Sequence, residues 1–223
     1  ALMLGVQGQR PETPDGKSFN PVIAHGISVM SMAFLLTERS PTIWRGPMVS
    51  SAFTQMLRQT NWGNLDYLVI DLPPGTGDIQ LTLSQQVPVN GAVIVTTPQD
   101  IALLDARRGI EMFRRVEVPV LGVIENMSLH CCAKCGHTEH LFGEGGGDKI
   151  AAEYDTALLG ALPLDIDIRR KADSGKPSVI SDPDGSVAQM YRDIARRTGA
   201  RLSMFAQRDG SSNLITKTKG TDE

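Results

Sequence analysis

All three cysteines of the 223-residue chain lie within five positions, in the segment "HCCAKCGHTEH" (130–140). Cys132 and Cys135 have the C-x-x-C spacing, which lets two thiolates converge on one metal centre, as in zinc and iron–sulfur sites. Two thiolates do not complete a four-coordinate site, so further ligands must come from nearby residues or from a second chain. Clustered cysteines in odd number are a poor disulfide framework, and they favour a reducing compartment, which we expect to be the cytoplasm.

Three kinds of site are open to this pair. A zinc site would take His137 and His140 as its other ligands, in the tight spacing C-x₂-C-x-H-x₂-H. Two copies of the chain would instead supply four thiolates to one iron–sulfur cluster across a dimer axis. A thioredoxin-like dithiol normally lies at a helix N-terminus early in a βαβ unit, whereas this pair follows a strand-like run. Cys131 is an extra thiol with no assigned role.

A second segment with chemical potential is "YLVIDLPPGTGD" (67–78). The run Leu65–Ile70 is short and almost continuously apolar, which is typical of a strand buried on both faces of a parallel sheet. Asp71 would then lie at the carboxyl edge, where open α/β sheets bind ligands and a carboxylate can hold the Mg²⁺ of a nucleotide. The alternative is that Asp71 merely caps the next loop. Gly75 would let the backbone approach a phosphate.

An α/β fold is needed to position these residues. Further strand-like runs lie at 91–97, 118–127 and 157–163, and helical patterns lie at 49–60, 100–116, 146–154 and 186–202. This alternation predicts a mostly parallel sheet with helices on both faces. In the helix at 100–116 we expect Asp100 as N-cap and one buried face, formed by Ile101, Leu104, Ile110 and Phe113.

Composition excludes some classes of function. The net charge of −3 comes without a basic stripe, so we expect no nucleic-acid partner. The chain has no apolar run of the length that a membrane span needs, so we expect no membrane association. Residues 1–206 are predicted to form one domain, with the C-x-x-C loop at 131–136. Residues 207–223 are polar and predict a disordered tail.

Several motifs follow one another in an order that resembles a known family. They are "WRGPM" (44–48), "DYLVIDLPPGTGDIQLTLSQ" (66–85), "GAVIVTTPQDIALLDARRGIEMF" (91–113), "GVIENMS" (122–128), "CAKCG" (132–136), "HLFGEGGG" (140–147) and "LPLDIDIRRKADSGKP" (162–177). Over roughly residues 2–200 the chain resembles the Mrp/ApbC-type iron–sulfur cluster carrier ATPases. These belong to the wider class of P-loop ATPases that includes the MinD and ParA proteins.

The resemblance implies a function and a set of site residues. It implies a homodimer that binds a [4Fe–4S] cluster through Cys132 and Cys135, receives it from an iron–sulfur scaffold and transfers it to apo-proteins, coupled to ATP binding and hydrolysis. The same resemblance implies a nucleotide site, in which Asp71 is the catalytic Walker B aspartate near Mg²⁺ and Gly75 belongs to the loop that senses the γ-phosphate. Asn126 would face the adenine, and Asp165 would lie in the loop that closes over the base.

One departure from the family is the phosphate-binding loop, because the sequence contains no G-x-x-x-x-G-K-[ST] string. "DGKSFN" (15–20) has no glycine at the required distance, and "GEGGGDKI" (143–150) has Asp148 where a glycine is required, so we interpret the latter as the turn into a helix. We therefore expect an incomplete P-loop ATPase-like domain, without its first strand and helix. Little ATPase activity and exposed apolar edges that favour association would follow. The alternatives are a MinD/ParA-like positioning ATPase and a zinc-binding module without transfer activity.

Overall fold

The computed structural model of the chain describes residues 1–35, 46–72, 87–132 and 134–208, apart from the side chains of residues 46, 47 and 208. A short 3₁₀ turn at Leu2–Leu4 comes first. The strands are β1 (Val22–Ala24), β2 (Ile27–Val29), β3 (Ala92–Thr96), β4 (Val120–Glu125), β5 (His130–Cys131), β6 (Thr138–Glu139) and β7 (Leu158–Ala161). The helices are α1 (Met32–Leu35), α2 (Gly46–Gln59), α3 (Asp100–Arg115), α4 (Gly146–Glu153), α5 (Ile166–Asp173), α6 (Ser178–Ser181) and α7 (Ser186–Arg208).

A parallel sheet in the order β3–β4–β7 is the centre of the fold. Side chains alternate between its faces, so Ile94 and Val123 join the core cluster beneath α3 and α4, while Val93 and Ile124 pack on the other side. On that other side Ile194 of α7 completes a second cluster. The predicted strands at 91–97, 118–127 and 157–163 and the predicted helices on both faces are confirmed.

Helix α3 confirms the predicted helix and the burial of Ile110 and Phe113, but not that of Ile101 and Leu104. Its buried side chains are Leu103, Ala106, Ile110, Met112 and Phe113. Ile101 is 70% exposed and Leu104 is 43% exposed. Ile101 lies nine residues before Ile110, which at 3.6 residues per turn is about half a turn away on the helix surface. The N-cap is Gln99, and Asp100 is the first helical residue.

The predicted strand over Leu65–Ile70 is wrong in this structure. These residues have no regular secondary structure, and Val69 is 88% exposed. An apolar run becomes a strand only where a neighbour completes its hydrogen-bond ladder, and no strand in the described part of the chain pairs with this one. Leu72, which follows this segment, packs against the core cluster beneath α3 and α4.

Residues 22–35 form a hairpin followed by a short helix. β1 and β2 pair antiparallel around His25 and Gly26, which have φ of 50° and 82°. Positive φ at both positions is typical of the tight turns that suit twisted hairpins. The His25 ring then reaches the carbonyl oxygen of Gly175 through Nε2 at 2.9 Å, which ties the hairpin to the end of α5.

The ends of the fold differ slightly from expectation. α2 confirms the helix predicted at 49–60, and α7 continues to Arg208, two residues beyond the predicted end of the domain. The rest of the predicted tail, residues 209–223, lies outside the described residues. Among the described residues, no helix is both long and apolar enough to cross a membrane.

Candidate functional site

The cysteines lie on a small hairpin, residues 130–139, which we call the cysteine hairpin. Its strands β5 and β6 pair antiparallel, with His130 opposite Glu139 and Cys131 opposite Thr138. The turn is closed by its own backbone, since the Cys132 N–H donates to the carbonyl of His137 at 2.8 Å. The Gly136 N–H donates to the carbonyl of Cys132, also at 2.8 Å. The C-x-x-C pair is thus part of one tight turn.

The Cys132 sulfur accepts hydrogen bonds that favour its thiolate. Its pKa is lowered, first by the backbone N–H of Lys134, then by the backbone N–H and the side chain of Cys135, and also by the charge of His130. Hydrogen bonds to the charged form of a thiol stabilise that form, and the thiolate is the species that binds metals. The Cys135 side chain is among the groups that lower the pKa of Cys132, so the two thiols interact within the turn.

Cys131 and His140 have other partners. The exposed Cys131 thiol points to the carbonyl oxygen of Gly136, 3.8 Å away. The Nδ1 atom of His140 lies 2.8 Å from the carbonyl oxygen of Ser128, and its Nε2 atom lies 3.7 Å from Glu144 Oε1. Within the described ranges, no group of three or more His, Cys, Asp or Glu side chains is placed to hold a metal. The zinc site considered above is therefore not assembled by one chain in this structure.

The carboxyl edge of the sheet carries Asn126. Its N–H donates to the carbonyl of Thr96 at 2.7 Å, and its Oδ1 accepts the N–H of Met127 at 3.0 Å. Met127 has φ of 57°, a left-handed conformation that is uncommon for a residue with a side chain. The half-buried Asn126 amide therefore lies at the edge where open α/β sheets bind ligands.

The other predicted nucleotide residues are more dispersed. Asp165 is exposed and is the N-cap of α5, where its Oδ1 accepts the N–H of Asp167 at 2.7 Å. Asp71 is exposed and follows the segment that is not a strand, so it does not extend the described sheet. Gly75 lies outside the described residues.

A backbone ladder that the sequence analysis missed joins the cysteine hairpin to the loop with Asp165. The Ser128 N–H donates to the carbonyl of Leu162 at 3.0 Å, and the Leu164 N–H donates to the carbonyl of Leu129 at 2.8 Å. His130 adds its Nδ1, 3.1 Å from the carbonyl oxygen of Leu164. The ladder extends the pairing of β4 with β7, so these hydrogen bonds hold the start of the cysteine hairpin next to the loop that contains Asp165.

The glycine run at the start of α4 packs closely against neighbouring residues, and one of its N–H groups binds a buried carboxylate of the same chain. Glu125 is buried, and its Oε2 accepts the N–H of Gly147 at 2.6 Å. A Cβ atom on Gly146 would lie 2.9 Å from Pro98 Cα, so glycine is required for this approach. The interpretation of this run as the turn into a helix is confirmed. The sequence signal for Glu125 was a carboxylate ending the apolar run "GVIE".

Comparison with known proteins gives consistent results. The family described as NUBPL iron-transfer P-loop NTPase, of the ParA group, matches residues 1–198. An iron–sulfur cluster carrier protein of Pseudomonas fragi is 59% identical over 202 residues, which are 90% of this chain and 70% of that protein. Its counterpart in Escherichia coli K12 is 55% identical over 200 residues, and this chain spans 54% of its length. The iron–sulfur cluster transfer protein NUBPL of Mus musculus is 50% identical, with 62% of its length covered.

Solved structures show the same fold. A nucleotide-binding protein from Archaeoglobus fulgidus, solved in complex with ADP, superposes with a TM-score of 0.69 and 33% identity. The superposition covers 85% of this chain and 72% of that protein. The MinD cell division ATPase of Pyrococcus furiosus superposes with a TM-score of 0.51 at 19% identity over 69% of this chain and 58% of its own, which supports the fold alone. The family match and the identities together show that this chain belongs to the NUBPL iron-transfer P-loop NTPase family.

Proposed function

We propose that this protein is an iron–sulfur cluster carrier. Two copies of the chain bind one [4Fe–4S] cluster through Cys132 and Cys135 of each, and the dimer transfers the cluster to apo-proteins in the cytoplasm. The observation that carries the proposal is the placement of both thiols in the turn of the cysteine hairpin, where Cys132 is half-buried, Cys135 is exposed and the Cys135 side chain helps to lower the pKa of Cys132. The names of the carrier and transfer relatives support the same activity.

The ligand count favours sharing between two chains. A [4Fe–4S] cluster needs four ligands, usually thiolates, and the pair supplies two. A twofold axis through the turn would bring a second pair to the same cluster without further residues from either chain. A cluster held in this way lies near the surface, where a recipient's thiolates can replace those of the carrier one at a time.

The nucleotide part of the proposal requires a phosphate-binding loop. Together with such a loop, Asn126 and Asp165 would contact the base, and Asp71 and Gly75 would serve Mg²⁺ and the γ-phosphate of ATP. The side chain of Asn126 at the carboxyl edge supports its share of this assignment. Since the 223 residues contain no P-loop string, we expect this polypeptide alone to bind ATP weakly and to hydrolyse little of it.

Anaerobic reconstitution with ferrous iron and sulfide tests the carrier proposal. We expect a broad thiolate-to-iron absorption in the visible range for the parent chain, and its loss in Cys132→Ala and in Cys135→Ala. Cys131→Ala is the matched control and keeps the absorption, since this thiol faces Gly136 instead of the pair. Stoichiometric zinc that iron does not displace, or an unchanged spectrum without Cys132 and Cys135, would refute the proposal.

A further inference from the structure

The cysteine hairpin is too short to fix its own orientation. Each of its strands has two residues, so the ladder consists of two residue pairs. Isolated two-stranded hairpins are at best marginally stable in water, even when they are longer. The direction in which Cys132 and Cys135 point must therefore depend on contacts at the base of the hairpin.

Ser128 is the fixed point at this base. It is 9% exposed, and both its N–H, at 3.0 Å, and its hydroxyl, at 3.3 Å, donate to the carbonyl oxygen of Leu162. Leu162 is 6% exposed and belongs to the core cluster beneath α7. Ser128 is thus anchored to the hydrophobic core two residues before β5 begins.

His140 connects the returning strand to this anchor. It directly follows β6, and its Nδ1 lies 2.8 Å from the carbonyl oxygen of Ser128. A carbonyl oxygen only accepts hydrogen bonds, so Nδ1 carries the proton and donates it. The contact of Nε2 with Glu144 is longer, 3.7 Å, and the Glu144 side chain is 78% exposed, so it contributes little.

We propose that His140 is a positioning residue for the cysteine pair. Its Nδ1–H···O bond to Ser128 closes the base of the hairpin as a third rung and keeps both sulfurs turned toward a shared cluster. The expected effect on cluster binding rests on the proposed function, whereas the effect of His140 on the hairpin conformation is already present in the metal-free chain. Residues that orient metal ligands typically change metal affinity by about 10–100-fold, and we expect the lower end of that range because other hairpin contacts persist.

Four variants separate this role from a general loss of packing. His140→Ala removes the donor. His140→Asn places an amide N–H close to the position of Nδ1, and His140→Gln places it near Nε2 instead. Glu144→Gln is the matched control, because it removes the charge on the Nε2 side and leaves the Nδ1 bond to Ser128 intact.

Two measurements are made on each variant. Amide hydrogen exchange by NMR at Cys132 and Gly136 reports on the turn in the metal-free chain, with Val123 of β4 as the internal reference. Transfer of iron from the reconstituted protein to a ferrous chelator reports on how firmly the cluster is held. Exchange is read without any cluster, so a parent chain that takes up no cluster refutes the proposed function and leaves the test of His140 intact.

We expect His140→Ala and His140→Gln to speed exchange in the turn but not at Val123, and to release iron about 10-fold faster. His140→Asn and Glu144→Gln should behave like the parent. The inference is overturned if amide exchange in the turn of His140→Ala matches that of the parent. It is also overturned if His140→Asn exchanges and releases iron as fast as His140→Gln, or if Glu144→Gln behaves like the alanine variant. Should the alanine variant unfold, the comparison of Asn with Gln decides in its place.

Discussion

At the scale of single residues, Cys132 is the thiol whose surroundings most clearly favour metal binding. The backbone N–H groups of Lys134 and Cys135 lower the pKa of its thiol through hydrogen bonds to the sulfur. The spacing of the pair was evident from the sequence. These hydrogen bonds were not, because they depend on the backbone path of the turn, which residue types alone do not specify.

The lowered pKa predicts a pH profile for alkylation of the metal-free, reduced chain. Cys132 should react with iodoacetamide at a lower pH in the folded protein than in the urea-denatured protein, as read from peptide masses across a pH series. The sign follows from the direction of the shift. Folding favours the thiolate, so its stabilising contribution is complete above the pKa of the denatured thiol and is lost as the pH falls through the folded pKa. Coinciding profiles in the two states would show that the turn does not hold the sulfur as described.

Other site residues were beyond sequence reasoning for the same physical reason. His140 was predicted only as a candidate zinc ligand, but its Nδ1 binds the carbonyl of Ser128, twelve residues earlier. Glu125 stood out as a carboxylate that ends an apolar run, but its partner, the N–H of Gly147, did not. Such pairings arise from tertiary packing, and no local pattern identifies the partner.

At the scale of elements, short-range patterns predicted most of the sheet and its helices. The strands β3, β4 and β7 were predicted because each is an apolar run bounded by turn residues. Helix α3 was predicted because its apolar residues recur at helical spacing within one short segment. The segment Leu65–Ile70 has the same pattern and failed, because a strand also needs a neighbour. The face of α3 was misjudged in part, since Ile101 and Leu104 are apolar but exposed.

The packing of α7 on β7 predicts how one added methyl group changes the stability of the fold. A Cβ atom on Gly160 would lie 2.6 Å from Cγ1 of Ile194, which is itself 7% exposed. Gly160→Ala should therefore lower the free energy of unfolding by about 1–3 kcal/mol, as overpacked cores typically do. Urea denaturation followed by circular dichroism measures this.

Gly109→Ala in α3 is the matched control for that substitution. Its Cβ would lie 3.7 Å from Ile94 Cδ1, which is ordinary contact, so alanine should raise the free energy of unfolding by about 0.5–1 kcal/mol through its better helix propensity. Equal effects of the two substitutions would contradict the described contact between α7 and β7.

At the scale of the whole molecule, the proposed cluster site takes only half of its ligands from one chain, and the sheet is incompletely covered. In the described part of the chain, β3 has a strand neighbour on one side only, and Val95 is 61% exposed. Exposed strand edges favour association. A second copy brought to the cysteine hairpin would complete the proposed ligand set, whereas the nucleotide assignments require a phosphate-binding loop, which the 223 residues do not contain.

Native mass spectrometry of the anaerobically reconstituted protein tests whether two chains share one cluster. We expect a species whose mass equals two chains plus one [4Fe–4S] cluster. This species should be replaced by free chains when either Cys132 or Cys135 is changed to alanine, and it should persist in Cys131→Ala. A complete cluster bound to a single chain, or a two-chain species whose cluster survives without Cys132 and Cys135, would contradict it.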